Sequence, residues 1–305
     1  MPTAFKSGRH ISFAPLPCHP HFFTPKGLAM RYLGETISFS HPRGEAALTP
    51  TGGVSWRIFS NPVSLGIGGI AAVILELAHP QVRHGVWDHS NFRTAPLRRM
   101  IRTAKAAMIT VYAPAGTARH MIAQVNHMHR NVSGQTDRGI PYNAFDAELL
   151  NWVHATASFG FLEAYMKFVI PLTPEQRNAF YAEGKPVAAL YGATETPDSA
   201  VKQSELFSRI YNILEPSDTL YEFLRVCEKS LPGPRFFTAK AVRSAVGLLP
   251  LDIVQKLSLD AFLPKASDTV WMRRAAWIAG TIPQYPLPFG QACRRMHISQ
   301  SFLEE

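Results

Sequence analysis

Beyond residue 60, apolar residues recur every three or four positions along most of the chain, a period that predicts helices. Asn61-Pro62 reads as a helix start, with Asn as the cap and Pro in the first turn. This helix is expected to reach about His79 and to stop at Pro80. Pro96 opens a second helix, expected to end near Ala113-Pro114, and Thr117 opens a third, ended by Gly134. The run "YNAFDAELLNWVHATASFGFLEAYMKFVI" predicts a long fourth helix from about Asn143 to Val169. Thr173-Pro174-Glu175-Gln176 has the form of a capping box, so another helix begins there. Further helices are expected near 198–214, 217–229, 238–247, 251–262 and 266–280. Only the short "VSWRIF" alternates in the manner of a strand, and no internal repeat is present. Residues 1–50 are rich in Pro, Gly, His and aromatics without a period, and are expected to form an irregular arm lying on the main domain. The segment "TIPQYPLPFGQA" is expected to be extended and to pack over the helices. The fold class is therefore all-α: an arm over 1–50, then one globular helical domain over 51–305.

Charged residues make up only 17% of the chain against 46% apolar residues, so a compact body with more apolar than polar surface is expected. The net charge is +9, but the basic residues are scattered, with only doublets such as Arg98-Arg99, Arg273-Arg274 and Arg294-Arg295. That pattern argues against a nucleic-acid partner and suits an anionic membrane or an anionic cofactor. Three widely separated cysteines, Cys18, Cys227 and Cys293, predict a reducing compartment and no disulfide framework. The N-terminus lacks the continuous apolar core of a signal peptide, and the apolar run Ser64–Leu75 is too short to cross a bilayer. A cytoplasmic location follows as the expectation, with peripheral contact at a membrane surface left open.

"VNHMHRNVSG", Val125–Gly134, places His127 and His129 near the end of the third helix. At about 100° per residue, Ala118, Ile122, Val125 and Val132 all fall within about 60° of His129. His120 and His127 fall on the opposite side, where they face solvent. A neutral imidazole on an apolar stripe is either a core histidine bonded to a carbonyl or water, or an axial haem ligand presented into an apolar cavity. His154, in the stripe of Ala147, Leu150, Ser158, Phe161 and Tyr165, competes as a ligand or as a polar group beside the same cavity. On the helix from Pro96, Arg99, Arg102, Thr103, Ala106 and Thr110 share one side. Such a face either meets water or closes the polar end of a cavity, where arginines pair with haem propionates or polarise bound oxygen.

Three stretches carry a resemblance: "GGIAAVILELAHPQVRHGVWDHSNFRTAPLRRMIRT", "VNHMHRNVSG" and "GIPYNAFDAELLNWVHAT". In this order and spacing the chain resembles the family of MpaB-type oxygenases and rubber oxygenases (latex-clearing proteins), over about Ser55 to Ala200. The resemblance implies a globin-like helical core that binds haem b through one histidine and uses dioxygen on a hydrophobic, oxidisable small molecule. Carried over by motif, the iron ligand would be His129. Arg99, Arg102 and Thr103 would stand at the distal or propionate side, Arg102 in the place of the basic side chain that approaches the iron in rubber oxygenases. The pocket glutamate of those enzymes has no assigned counterpart; Glu76, His84 and His89 are candidates.

Two other enzymatic readings fail on context. "GIGGIA" fits a loose dinucleotide fingerprint, but its glycines lie within a helical pattern and no βαβ alternation follows. Glu76 and His79 have the spacing of a di-iron helix, but a second copy of the motif is needed and none exists. A haem-free helical protein that binds lipids or a partner remains the alternative.

Overall fold

The computed structural model describes residues 30–299 apart from 91, 93, 232 and 285, and most of the arm, including Cys18, lies outside the described residues. The architecture is all-α and forms a single domain. Its two small sheets are hairpins: β1 (Met30–Tyr32) pairs with β2 (Glu35–Ile37), and β3 (Ser133–Gln135) with β4 (Pro141–Asn143). The helices run in order α1 (Val54–Ile58), α2 (Pro62–Ala78), α3 (Pro80–Trp87), α4 (Pro96–Tyr112), α5 (Ala115–Arg130), α6 (Ala147–Phe168) and α7 (Pro174–Leu190). They continue with α8 (Ala200–Ile210), α9 (Asp218–Ser230), α10 (Arg235–Val246), α11 (Leu251–Lys256), α12 (Ala266–Thr281) and α13 (Pro288–Arg295).

Local chemistry sets most of the helix starts. The Asn61 side chain accepts from the backbone N–H groups of Val63 and Ser64, with Pro62 in first position. Asp146 caps α6 through Glu148 and Leu149, four residues later than the sequence pattern placed that start, because 141–143 are held in β4. The capping box forms at Thr173 and Gln176 as expected.

Three expectations need correction. Pro80 ends α2 but also opens α3, and the two axes meet at 111°. A proline stop and a proline in first helical position are the same residue type, so the pattern alone missed the second helix. "VSWRIF" is not a strand: Val54 and Ser55 donate their backbone N–H to the Glu183 carboxylate at 3.0 and 2.8 Å, which anchors a short helix. The segment expected to be extended turns at Pro288 into α13, whose Phe289, Ala292, Cys293 and Arg295 are buried.

Helices α2 and α6 form the spine. They cross where Gly68 meets Gly160: a Cβ on Gly68 would lie 2.5 Å from the Gly160 carbonyl oxygen. The glycines of "GIGGIA" thus permit close packing of backbones. On one side of the spine lies a core shared with α9, α10 and α12, including Leu75, Trp152, Phe223 and Val246. On the other side, α1, α4, α5, α7 and α13 enclose Trp56, Tyr112, Tyr165 and Phe289. The buried Arg295 ties the arm to this second core, donating to the carbonyls of Glu45, Phe39 and Tyr112 at 2.7, 2.6 and 2.8 Å. Among the described residues, no single helix is long and apolar enough to cross a membrane.

Candidate functional site

Between α2, α3, α4, α5 and the first turns of α6 the helices leave a cavity of about 750 Å³. Its walls are largely apolar, with Val82, Val86, Val125, Val132, Leu149 and Val153 among them. The volume lies within the range of small-molecule and cofactor sites. The polar lining is concentrated on α4, which contributes Arg98, Arg99, Arg102, Thr103 and Lys105. The structure therefore brings His129, Arg99, Arg102 and Thr103 to one cavity.

His129 reaches it from the last turn of α5, and its Nδ1 is buried with no hydrogen-bond partner. Burial, and then the nearby Arg99 and Arg102 guanidinium groups, hold its pKa below the ordinary histidine value, so the ring is neutral at pH 7. His120 and His127 are exposed, as the helix wheel predicts; His120 lies 3.2 Å from Glu35.

Arg99 donates to Thr103 Oγ1 at 3.4 Å, and that hydroxyl donates to the Arg99 carbonyl at 3.2 Å. Burial, then the charge on Arg102, lowers the Arg99 pKa. Neither arginine forms an ion pair with a carboxylate among the described residues. Two guanidinium groups that repel one another, with Glu76 acting on Arg99 but no described carboxylate in ion-pair contact, make a place for an anionic group.

Of the three candidate bases, Glu76 and His89 line the cavity, whereas His84 is turned to Asp88 at 2.8 Å and does not. Glu76 is the sole carboxylate in the lining among the described residues. Burial pushes its carboxyl up to about 7, against the pull of Arg99 and the Thr156 hydroxyl. His89 Nε2 lies 3.0 Å from the Tyr142 hydroxyl.

His154 is not brought to the cavity. It points toward α7, where a Cβ on Gly184 would lie 3.3 Å from its Nε2, and Ser158 Oγ stands 3.3 Å from the same atom. Burial lowers its pKa to about 4. His79 likewise lies outside the lining, so Glu76 and His79 do not face one site. No cluster of three His, Cys, Asp or Glu side chains able to hold a metal ion occurs among the described residues. A single imidazole is the kind of protein ligation that haem requires, so this does not bear on His129.

Several lining residues escaped the sequence reading. Arg31 and Tyr32 come from the β1 hairpin of the arm, which has no periodicity to announce it. Tyr191, whose hydroxyl is 2.8 Å from Thr110 Oγ1, follows the end of α7. Arg98 was visible only as half of a basic doublet.

The fold and cavity together define an all-α protein that presents the neutral His129 imidazole and a pair of guanidinium groups without an ion-pair contact among the described residues to a largely apolar chamber. The chain belongs to the family described as ER-bound oxygenase mpaB/B'/Rubber oxygenase, catalytic domain, which it matches over residues 56–281. It is also similar to two uncharacterized proteins, Mb2261 of Mycobacterium bovis and Rv2237 of Mycobacterium tuberculosis, each 26% identical over 161 residues. Those alignments cover 51% of this chain and 63% of each relative's length. No solved structure matches the chain.

Proposed function

We propose that this chain is a haem b-dependent oxygenase that uses dioxygen on a hydrophobic, unsaturated small molecule, with His129 as the axial ligand. The observation that carries the proposal is the His129 ring itself. No described residue bonds its ring nitrogens, and, unlike the equally orphaned core residue His79, the ring lines a chamber of cofactor size. A neutral imidazole is also the protonation state that metal ligation needs.

Bound in the chamber, haem would supply the iron chemistry of dioxygen activation. The chain supplies the rest. Arg99 and Arg102 would hold the haem carboxylates, with Thr103 fixing the Arg99 side chain. The valine and leucine walls exclude water and accept a hydrocarbon substrate. Glu76, with a carboxyl near 7, takes or releases a proton at its carboxylate oxygens close to neutral pH, the property of a general base. His89, bonded to Tyr142, lines the same chamber as a further polar group.

The test is dioxygen uptake by the hemin-reconstituted full chain, supplied with an apolar alkene or with its saturated counterpart. Uptake is expected with the alkene, with Glu76→Gln about 100-fold slower. Uptake no faster than with free hemin would contradict the proposal.

A further inference from the structure

Helix α12 is apolar on two sides, and only one of them is covered. Met272, Ala276 and Ala279 pack inward, and the helix's sole acidic residue, Asp268, is buried between Lys240 and Arg243. At about 100° per residue, the outward side gathers Trp277, Val270, Ile278, Trp271 and Ile282 into a sector about 140° wide. All five are exposed; Trp277 has 72% of its surface free. Phe236, 59% exposed on α10, meets Trp271 edge-on at 6.4 Å between ring centroids and widens the patch onto a second helix. A contiguous patch of this kind marks an interaction surface. None of these residues lines the cavity.

The charges identify the occupant. Arg274 stands in the middle of the apolar sector, Arg273 at its edge, and Arg235 beside Phe236; all three are exposed. None forms an ion pair with a carboxylate among the described residues. A second copy docking through a two-fold contact would bring two Arg274 side chains together in the desolvated centre, which is unfavourable. An anionic bilayer surface accepts every part of the face. Tryptophans settle at the headgroup level, isoleucines and valine enter the acyl boundary, and arginine stems run along apolar surface while their heads reach phosphates. We propose that this α12–α10 face is a peripheral docking surface for a bilayer rich in anionic phospholipid. The proposal is independent of the cofactor. It also has a functional consequence, since a docked chain stands where apolar substrates partition.

The experiment is co-sedimentation of the full chain with vesicles of phosphatidylcholine alone or mixed with phosphatidylglycerol, together with tryptophan emission. Binding to the mixed vesicles is expected, weakening with salt and accompanied by a blue shift, because Trp271 and Trp277 are the exposed indoles. The double variant Trp277→Ser, Ile278→Ser should lower partition about tenfold and remove most of the shift. Arg274→Glu should lower it about fivefold or more, toward the value for phosphatidylcholine alone. All of these positions are exposed, and far-ultraviolet circular dichroism verifies that the variants fold. Failure to bind mixed vesicles would overturn the proposal. So would a stable dimer of the wild-type chain that the double variant converts to monomer, since the face would then be a self-interface.

Discussion

Replacing Glu76 by glutamine is expected to stabilise the protein above neutral pH and to change little in acid. The free carboxyl titrates near 4.5, and burial in the folded chain raises that to about 7. Between these values the unfolded chain releases a proton that the folded chain retains. Stability therefore falls as pH rises through the window, and the loss is complete above about 7. The displacement corresponds to a ceiling of about 3 kcal/mol, which cavity water reduces. Glutamine keeps the shape and its contact with Thr156 but cannot ionise. Urea denaturation of both proteins without cofactor, at about pH 4, 5.5 and 8, measures the effect. The two should be nearly equal at the lowest pH, and the variant should gain about 1–3 kcal/mol by the highest. A variant less stable than wild type at about pH 8 would refute the reasoning, because it would show an ionised carboxylate held favourably, with the Arg99 charge outweighing burial.

Further outcomes follow from the packing and the charges. Gly160→Ala should cost about 1–3 kcal/mol in denaturant unfolding, since its Cβ collides with the backbone carbonyl of Gly68, which neither helix can move freely. Arg295→Ala should cost about 3 kcal/mol or more and expose the arm to proteolysis, because three carbonyls, two of them in buried contacts, lose their donor. Arg99→Gln should raise the stability of the cofactor-free chain by about 1 kcal/mol, by removing a half-buried cation beside Arg102, and should weaken hemin binding in a titration.

What the sequence reveals is what short-range chemistry decides. The Asn61 cap, the Thr173 capping box and the apolar stripe of His129 each depend on residues within about three turns; the two caps form as the pattern places them, and the stripe holds as far as Arg130, where α5 ends short of Val132. His154 shows where such reasoning stops. Helix α6 is buried on nearly every side, so a stripe on its wheel does not say whether it meets a cavity or the backbone of α7 at Gly184. The contribution of Arg31 and Tyr32 is equally invisible, because it depends on folding the hairpin onto α4, some 70 positions further along. Lys105 donating to the Arg31 carbonyl at 3.0 Å is part of that contact. The displaced carboxyl of Glu76 likewise belongs to tertiary burial; its own helix reads only as an apolar run interrupted by an acid.

The central claim is that the His129 imidazole holds haem iron in the chamber. A spectral titration of the full chain with hemin, alongside His129→Ala and His154→Ala, tests it most directly. Wild type and His154→Ala should develop the same saturable Soret band at one hemin per chain, and His129→Ala should not. A band retained in full by His129→Ala, or lost only in His154→Ala, would contradict it.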